Sequence, residues 1–157
     1  MNSSILKLCV ALLLFGSPSF SQSKKKAGTG IAFNPIEGYR PKTNHFQEAG
    51  LNTQIFTTQK QFDALFEKIP KANAAKIRFD NRAVLACSGD KTSTETKLSL
   101  EKISKKDGVL LVYIKAEYGN KLRSPMVPFC LYNIAADPSL SGVDYYINGK
   151  LVLELRN

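Results

Sequence analysis

The chain has 157 residues, 22 of them lysine or arginine against 13 aspartate or glutamate, for a formal net charge of +9 at pH 7. One histidine and three cysteines leave no spacing for a zinc centre or a histidine-activated nucleophile. The length fits a single domain able to bury a core without staples.

The first 21 residues have the layout of a secretory signal peptide. Lys7 supplies a positive n-region, the run from Leu8 to Gly16 an apolar h-region, and Ser19-Phe20-Ser21 a small-x-small cleavage site before Gln22. The apolar run is too short for a transmembrane helix, which needs about 20 residues, and no second run of that kind follows. An exported chain is expected, with its final place in the periplasm, the outer envelope or the medium left open. Cys9 opens the h-region instead of ending it, which argues against a lipid anchor there. Cleavage removes Lys7 and Cys9, lowering the formal charge to +8 and leaving Cys87 and Cys130.

Residues 22–30 (QSKKKAGTG) hold three consecutive lysines, Lys24 to Lys26, and no apolar group larger than Ala27. Such a stretch cannot repay the entropy of ordering, so a solvated basic tail is expected over 22–30 and a single β-rich domain over 31–157. From Ile31 to Gly50, Phe33, Ile36, Tyr39 and Phe46 alternate with Pro35, Gly38, Pro41 and Gly50, the pattern of an irregular arm with a short edge strand. Gln54 to Thr57 read as extended. Thr58 and Gln61 then form a capping box, and Phe62, Leu65, Phe66 and Ile69 recur at helical spacing up to Pro70. One amphipathic helix, Gln59 to Lys68, is expected to face the core.

Everything after Lys76 reads as strand and turn. Arg82 to Ser88 is a continuous apolar run ended by Gly89-Asp90. Thr96, Leu98 and Leu100 alternate with polar residues, and Asp107-Gly108 turns the chain into Val109 to Tyr118. Val127 to Ile134 forms another buried run. Asn148-Gly149 then joins Asp144 to Ile147 with Lys150 to Leu155, the dipeptide suiting a type I′ turn. These six strand runs and one early helix predict an α+β fold, mostly antiparallel sheet or a small sandwich, instead of a βαβ fold. Cys87 and Cys130 both lie in apolar strands. Export permits a disulfide between them, worth about 4 kcal/mol in the chain-entropy model, and two buried thiols are the alternative.

Chemistry is sparse. His45 stands in Thr-Asn-His-Phe, a surface-loop context. No phosphate-binding glycine motif follows a strand. Glu95, Glu101 and Glu117 fall at strand positions that point to solvent. No cofactor is implied. The basic balance raises nucleic acid as a partner, but the lysines are dispersed and no aromatic RNA-binding motif accompanies them.

Gln54-Ile55-Phe56-Thr57 running into Gln61-Phe62-Asp63-Ala64-Leu65-Phe66, then Ile77 to Ala86 and Gly89-Asp90-Lys91, resembles the PrcB-type domain of bacterial protease-complex subunits. That family has an extended segment and capped helix ending in an aromatic, a "DF" turn, an apolar strand and a G-x-K/R loop. Ser124-Pro125-Met126-Val127-Pro128-Phe129 is similar to its Pro-aromatic strand entry, and the likeness spans Gln54 to Leu155. The family's Gly-Gly-Tyr element is replaced here by Ser93-Thr94-Glu95-Thr96. The resemblance implies a non-enzymatic exported β domain that binds or assembles with a protease or another envelope protein, with no catalytic residue to transfer, and the chain by itself is expected to be a monomer. The loops Gly89 to Glu95 and Gly119 to Met126 are its expected binding face, with Lys91, Tyr118, Lys121, Arg123 and Met126 as contact residues. An envelope enzyme with a carboxylate-based site, or a purely structural envelope protein, are the competing readings.

Overall fold

The computed structural model describes residues 29–42, 50–74 and 76–156. The leader, Lys24 to Lys26 and His45 lie outside them. In chain order the elements are β1 (Thr29–Gly30), β2 (Phe33–Pro35), β3 (Tyr39–Pro41), β4 (Asn52–Phe56), α1 (Gln59–Leu65) and β5 (Phe66–Lys68). Then come β6 (Arg82–Ser88), β7 (Thr92–Lys106), β8 (Val109–Met126), β9 (Phe129–Ala135), β10 (Gly142–Ile147) and β11 (Lys150–Arg156). They form a five-stranded sheet β1-β7-β8-β10-β11, a four-stranded sheet β2-β9-β6-β4 and the small pair β3-β5. The expected α+β fold is the one observed: mostly antiparallel sheets with a single short helix.

The apolar pattern of β6 explains the layering. Ala83, Leu85 and Cys87 face the five-stranded sheet and pack with Leu98, Leu100, Ile103, Leu110, Val112, Ile114, Val143 and Tyr145. Val84 and Ala86 face the other way, into a second core of Tyr39, Phe56, Phe62, Phe66, Ile77 and Leu131. A strand covered on both sides has no solvent face to mark with polar residues, hence the unbroken run from Ala83 to Cys87. The flanking β7 and β8 cover one core only, and their buried and exposed residues alternate accordingly over Thr96 to Leu100 and Leu110 to Ala116.

One strand pair is parallel. After β8 the chain crosses to the four-stranded sheet as β9 and returns as β10, which therefore runs in the direction of β8, with Val143 opposite Leu110 and Tyr145 opposite Val112. Both tight turns have the conformation their dipeptides suggest. Asp107 and Gly108 have φ of 51° and 81°, Asn148 and Gly149 of 48° and 80°.

The helix is shorter than its periodicity predicts. Thr58 caps it, its Oγ1 accepting from the Gln61 N–H at 3.3 Å, while the Gln61 side chain reaches back one residue further than expected and accepts from the Thr57 N–H at 3.1 Å. The helix stops at Leu65 because Phe66 takes extended angles (φ −122°, ψ 149°) and begins β5, which pairs with β3 through Pro41 opposite Phe66 and Tyr39 opposite Lys68. Phe66 stays in the core despite leaving the helix, stacked on Phe62 at 5.0 Å. Ile69, expected on the same face, is 39% exposed.

The ordered domain also begins earlier than composition suggests. Thr29–Gly30, placed by composition in the basic tail, form β1 opposite Lys105 and Ser104. The Ile31 N–H continues the ladder by donating to the Ile103 carbonyl at 3.0 Å, and Ile31 packs on the main core, so one apolar residue holds the preceding two in register. The arm after it contains two short strands: β2 joins the edge of the four-stranded sheet, and β3 pairs with β5.

Candidate functional site

The hairpin β7–β8 is much longer than the sheet that carries it. β10 pairs with β8 only from Val109 to Ile114. Where β10 turns away, the Asn148 N–H donates to the Ile114 carbonyl at 3.0 Å. Its side chain replaces the missing strand: Oδ1 accepts from the Ala116 N–H at 2.9 Å, and Nδ2 donates to the Ala116 carbonyl at 3.2 Å. From Glu117 onward β8 pairs with β7 alone, as a two-stranded ribbon. The ribbon returns to the four-stranded sheet where the Gly89 N–H donates to the Pro128 carbonyl at 2.9 Å.

Two expected loops are therefore corrected. Thr92 to Glu95 belong to β7 and residues 119–126 to β8, because each supplies the other's backbone partners. The pairing is uneven: Tyr118 sits opposite Thr96, Lys121 opposite Thr94 and Met126 opposite Thr92. Glu95 alone thus faces Gly119 and Asn120, and Ser93 alone faces Leu122, Arg123, Ser124 and Pro125. Surplus residues in one strand of a ladder bulge outward and bend it. Threonines hold the short strand at these slips, the Thr92 Oγ1 accepting from the Thr94 N–H at 3.1 Å and the Thr96 Oγ1 donating to the Thr94 carbonyl at 3.0 Å.

All five residues singled out from the sequence lie along this ribbon. Tyr118 is 69% exposed, Met126 is 37% exposed, and Lys121 and Arg123 are exposed on the bulged stretch between them. Lys91 is exposed just ahead of Thr92, beside the Met126 end. Glu95 and Glu117 are exposed on the same ribbon, and Lys115 holds Glu117 at 2.7 Å. That hydrogen bond lowers the Glu117 carboxyl pKa and raises that of the Lys115 ammonium.

Sequence reasoning missed what lies beneath. A cleft of about 250 Å³ opens under the ribbon, with Leu51, Leu98, Ala116, Pro128 and Ile147 as an apolar floor and Thr92, Thr96, Tyr118 and Asp90 around it. Asp90 also fixes one rim by accepting from the Gly50 N–H. The alternation of Leu98 and Ala116 signals the floor, but only the pairing of Thr96 with Tyr118 shows that an aromatic stands over it.

Cys87 and Cys130 occupy opposite register positions on β6 and β9, both buried, and both are free thiols instead of a bridge. A hydrogen bond with Cys130, followed by burial, pushes the Cys87 thiol pKa well up. Among the described residues no three histidine, cysteine, aspartate or glutamate side chains converge as metal ligands, and no helix is long and apolar enough to cross a membrane. The arrangement offers contact surface: an aromatic over an apolar cleft, with an exposed thioether and three exposed cations along the same ribbon.

Compared with family models, curated proteins and solved structures, the chain matches none of them.

Proposed function

We propose that the protein is an exported, non-enzymatic binding module that engages a protease or another envelope protein through the β7–β8 ribbon. The observation that supports this reading is the bulged stretch of β8, where Tyr118 stands over a cleft with an apolar floor and Lys121, Arg123 and Met126 are exposed further along the same ribbon. Exposed aromatic, Met and Arg side chains are the types enriched where proteins meet. Pro125 restricts the backbone beside the two cations, so less freedom is lost on contact. The likeness to the PrcB-type domain points to the same class of role.

The test is site-specific crosslinking. A photoreactive aromatic at position 118 should trap one discrete envelope protein, whereas the same probe at Lys106, exposed at the opposite end of the hairpin, should not. Reversing both Lys121 and Arg123 to glutamate should weaken capture of that partner, more so at low salt, with melting nearly unchanged. Equal crosslinking from both positions, or undiminished capture by the double variant, would sink the proposal.

A further inference from the structure

On the helix side of the four-stranded sheet lies a second cleft, of about 450 Å³, lined by Asn34, Pro35, Ile36, Lys76, Ile77, Arg78, Asp80, Arg82 and Asn133. Its walls come from three stretches: the outer strand β2 and the residue after it, the approach to β6 together with its first residue, and the middle of β9. The chemistry is lopsided. Three cations, Lys76, Arg78 and Arg82, face one carboxylate, Asp80, and none of the four takes part in an ion pair among the described residues. By contrast Arg40 is held by Glu67 at 2.8 Å, and Arg156 is held by Asp144.

The half-buried guanidinium is positioned without being neutralised. Arg82 donates through Nη1 to the Asn133 Oδ1 at 3.3 Å, and Asn133 donates through Nδ2 to the Arg78 carbonyl at 3.4 Å. One amide thus ties the base of β6 to the segment carrying the other two cations, leaving most of the Arg82 fork free. Pro35, Ile36 and Ile77 supply apolar surface in the same cleft, and Ile77 is itself buried in the second core, so that wall is firmly seated.

We infer that this cleft binds a carboxylate carried next to an apolar group, the chemistry of a peptide chain terminus ending in an aliphatic residue. Arg82 takes the carboxylate with its planar fork. Lys76 and Arg78 supply further positive charge, and the aliphatic part rests on Ile36 and Ile77. A fixed, uncompensated guanidinium beside apolar surface recognises such a ligand in two parts, and inorganic phosphate satisfies only one. The site is separate from the β7–β8 ribbon and shares no residue with it.

The test titrates the chain lacking its first 21 residues with three probes: a short peptide ending in leucine with a free carboxylate, the same peptide amidated, and inorganic phosphate. Amide chemical-shift changes give the location and affinity. The expected result is shifts at Ile36, Ile77, Arg82 and Asn133 with the free acid, and binding at least tenfold weaker with the amide and with phosphate. Arg82→Gln should reduce affinity at least tenfold. Lys76→Gln, at an exposed position that carries no part of the fold, should reduce it several-fold with unchanged melting. Equal binding of the amidated peptide, phosphate binding as tightly as the peptide, or full affinity in both variants would each overturn the assignment.

Discussion

Asn148 fastens the ribbon to the sheet, and substituting it separates two contributions. Asn148→Gly keeps the positive φ of 48° without strain but deletes both side-chain hydrogen bonds to Ala116. At about 0.5–1.5 kcal/mol net per bond, a loss of about 1–3 kcal/mol is expected, and the looser unfolded chain adds up to about 1 kcal/mol. Asn148→Ala deletes the same bonds and forces a Cβ into left-handed backbone, which costs about 1–2 kcal/mol, so it should be less stable than the glycine variant. Asn148→Asp retains an acceptor for the Ala116 N–H and should fall between wild type and glycine. Equilibrium urea unfolding reads the ranking, with m-values unchanged if the native surface is unchanged. Amide exchange supplies the local readout: protection at Ala116 to Lys121 should fall more in the glycine variant than protection in β6. A glycine variant within about 0.3 kcal/mol of wild type, with ribbon protection intact, would refute the idea that this amide stands in for a strand.

Three further outcomes are expected. Phe66→Ala should cost about 3–5 kcal/mol by urea unfolding, because the ring is buried against Phe62, Phe56 and Phe129, and a loss under about 1 kcal/mol would contradict that packing. Ser88→Ala should leave stability unchanged or raise it, since the buried Ser88 hydroxyl has no hydrogen-bond partner among the described residues, and a loss above about 1 kcal/mol would reveal one. Asp137 is held down at about 2, chiefly by the Lys105 ammonium and then by Ser139. Because its folded value lies below the unfolded one, its contribution is present above about pH 4 and lost as pH falls toward 2. The gap in melting temperature between wild type and Asp137→Asn should close over that interval, and a gap independent of pH would disprove the pairing.

The β-rich fold was legible wherever local chemistry decides conformation. Asn148-Gly149 and Asp107-Gly108 specify positive φ on their own, and the run from Ala83 to Cys87 announces a strand buried on both sides. The helix end was not legible, because Phe62, Leu65, Phe66 and Ile69 keep helical spacing while the backbone at Phe66 answers to Tyr39–Pro41, a partner distant in sequence. Lys121, Arg123 and Met126 were read as loop residues, because nothing in 119–126 shows that Thr92 to Thr96 supplies its hydrogen bonds through a slipped register. The cationic cleft escaped because its parts come from β2, the approach to β6 and β9. Lys76 and Arg78 shortly ahead of Arg82 were its only local trace, and the turn at Asp80 and Asn81, where Asn81 has a φ of 52°, hides that the three cations meet.

The two-sided burial of β6 also dictates when the molecule can finish folding. One of its faces is covered by α1 and β3, which precede it, and the other by β7, β8 and β10, which follow. The outermost pairings are among the most distant in sequence, with Phe33 opposite Ile134 and Gly30 opposite Ser104. A chain emerging in N-to-C order therefore carries the stretch from Ala83 to Cys87 covered on one face until β7 and β8 have arrived, and incompletely on the other until Val143 and Tyr145 follow. Topologies dominated by such remote pairings fold in milliseconds to seconds and expose strand edges while they wait. Shortening the chain before β10 removes part of the cover on which its most apolar strand depends.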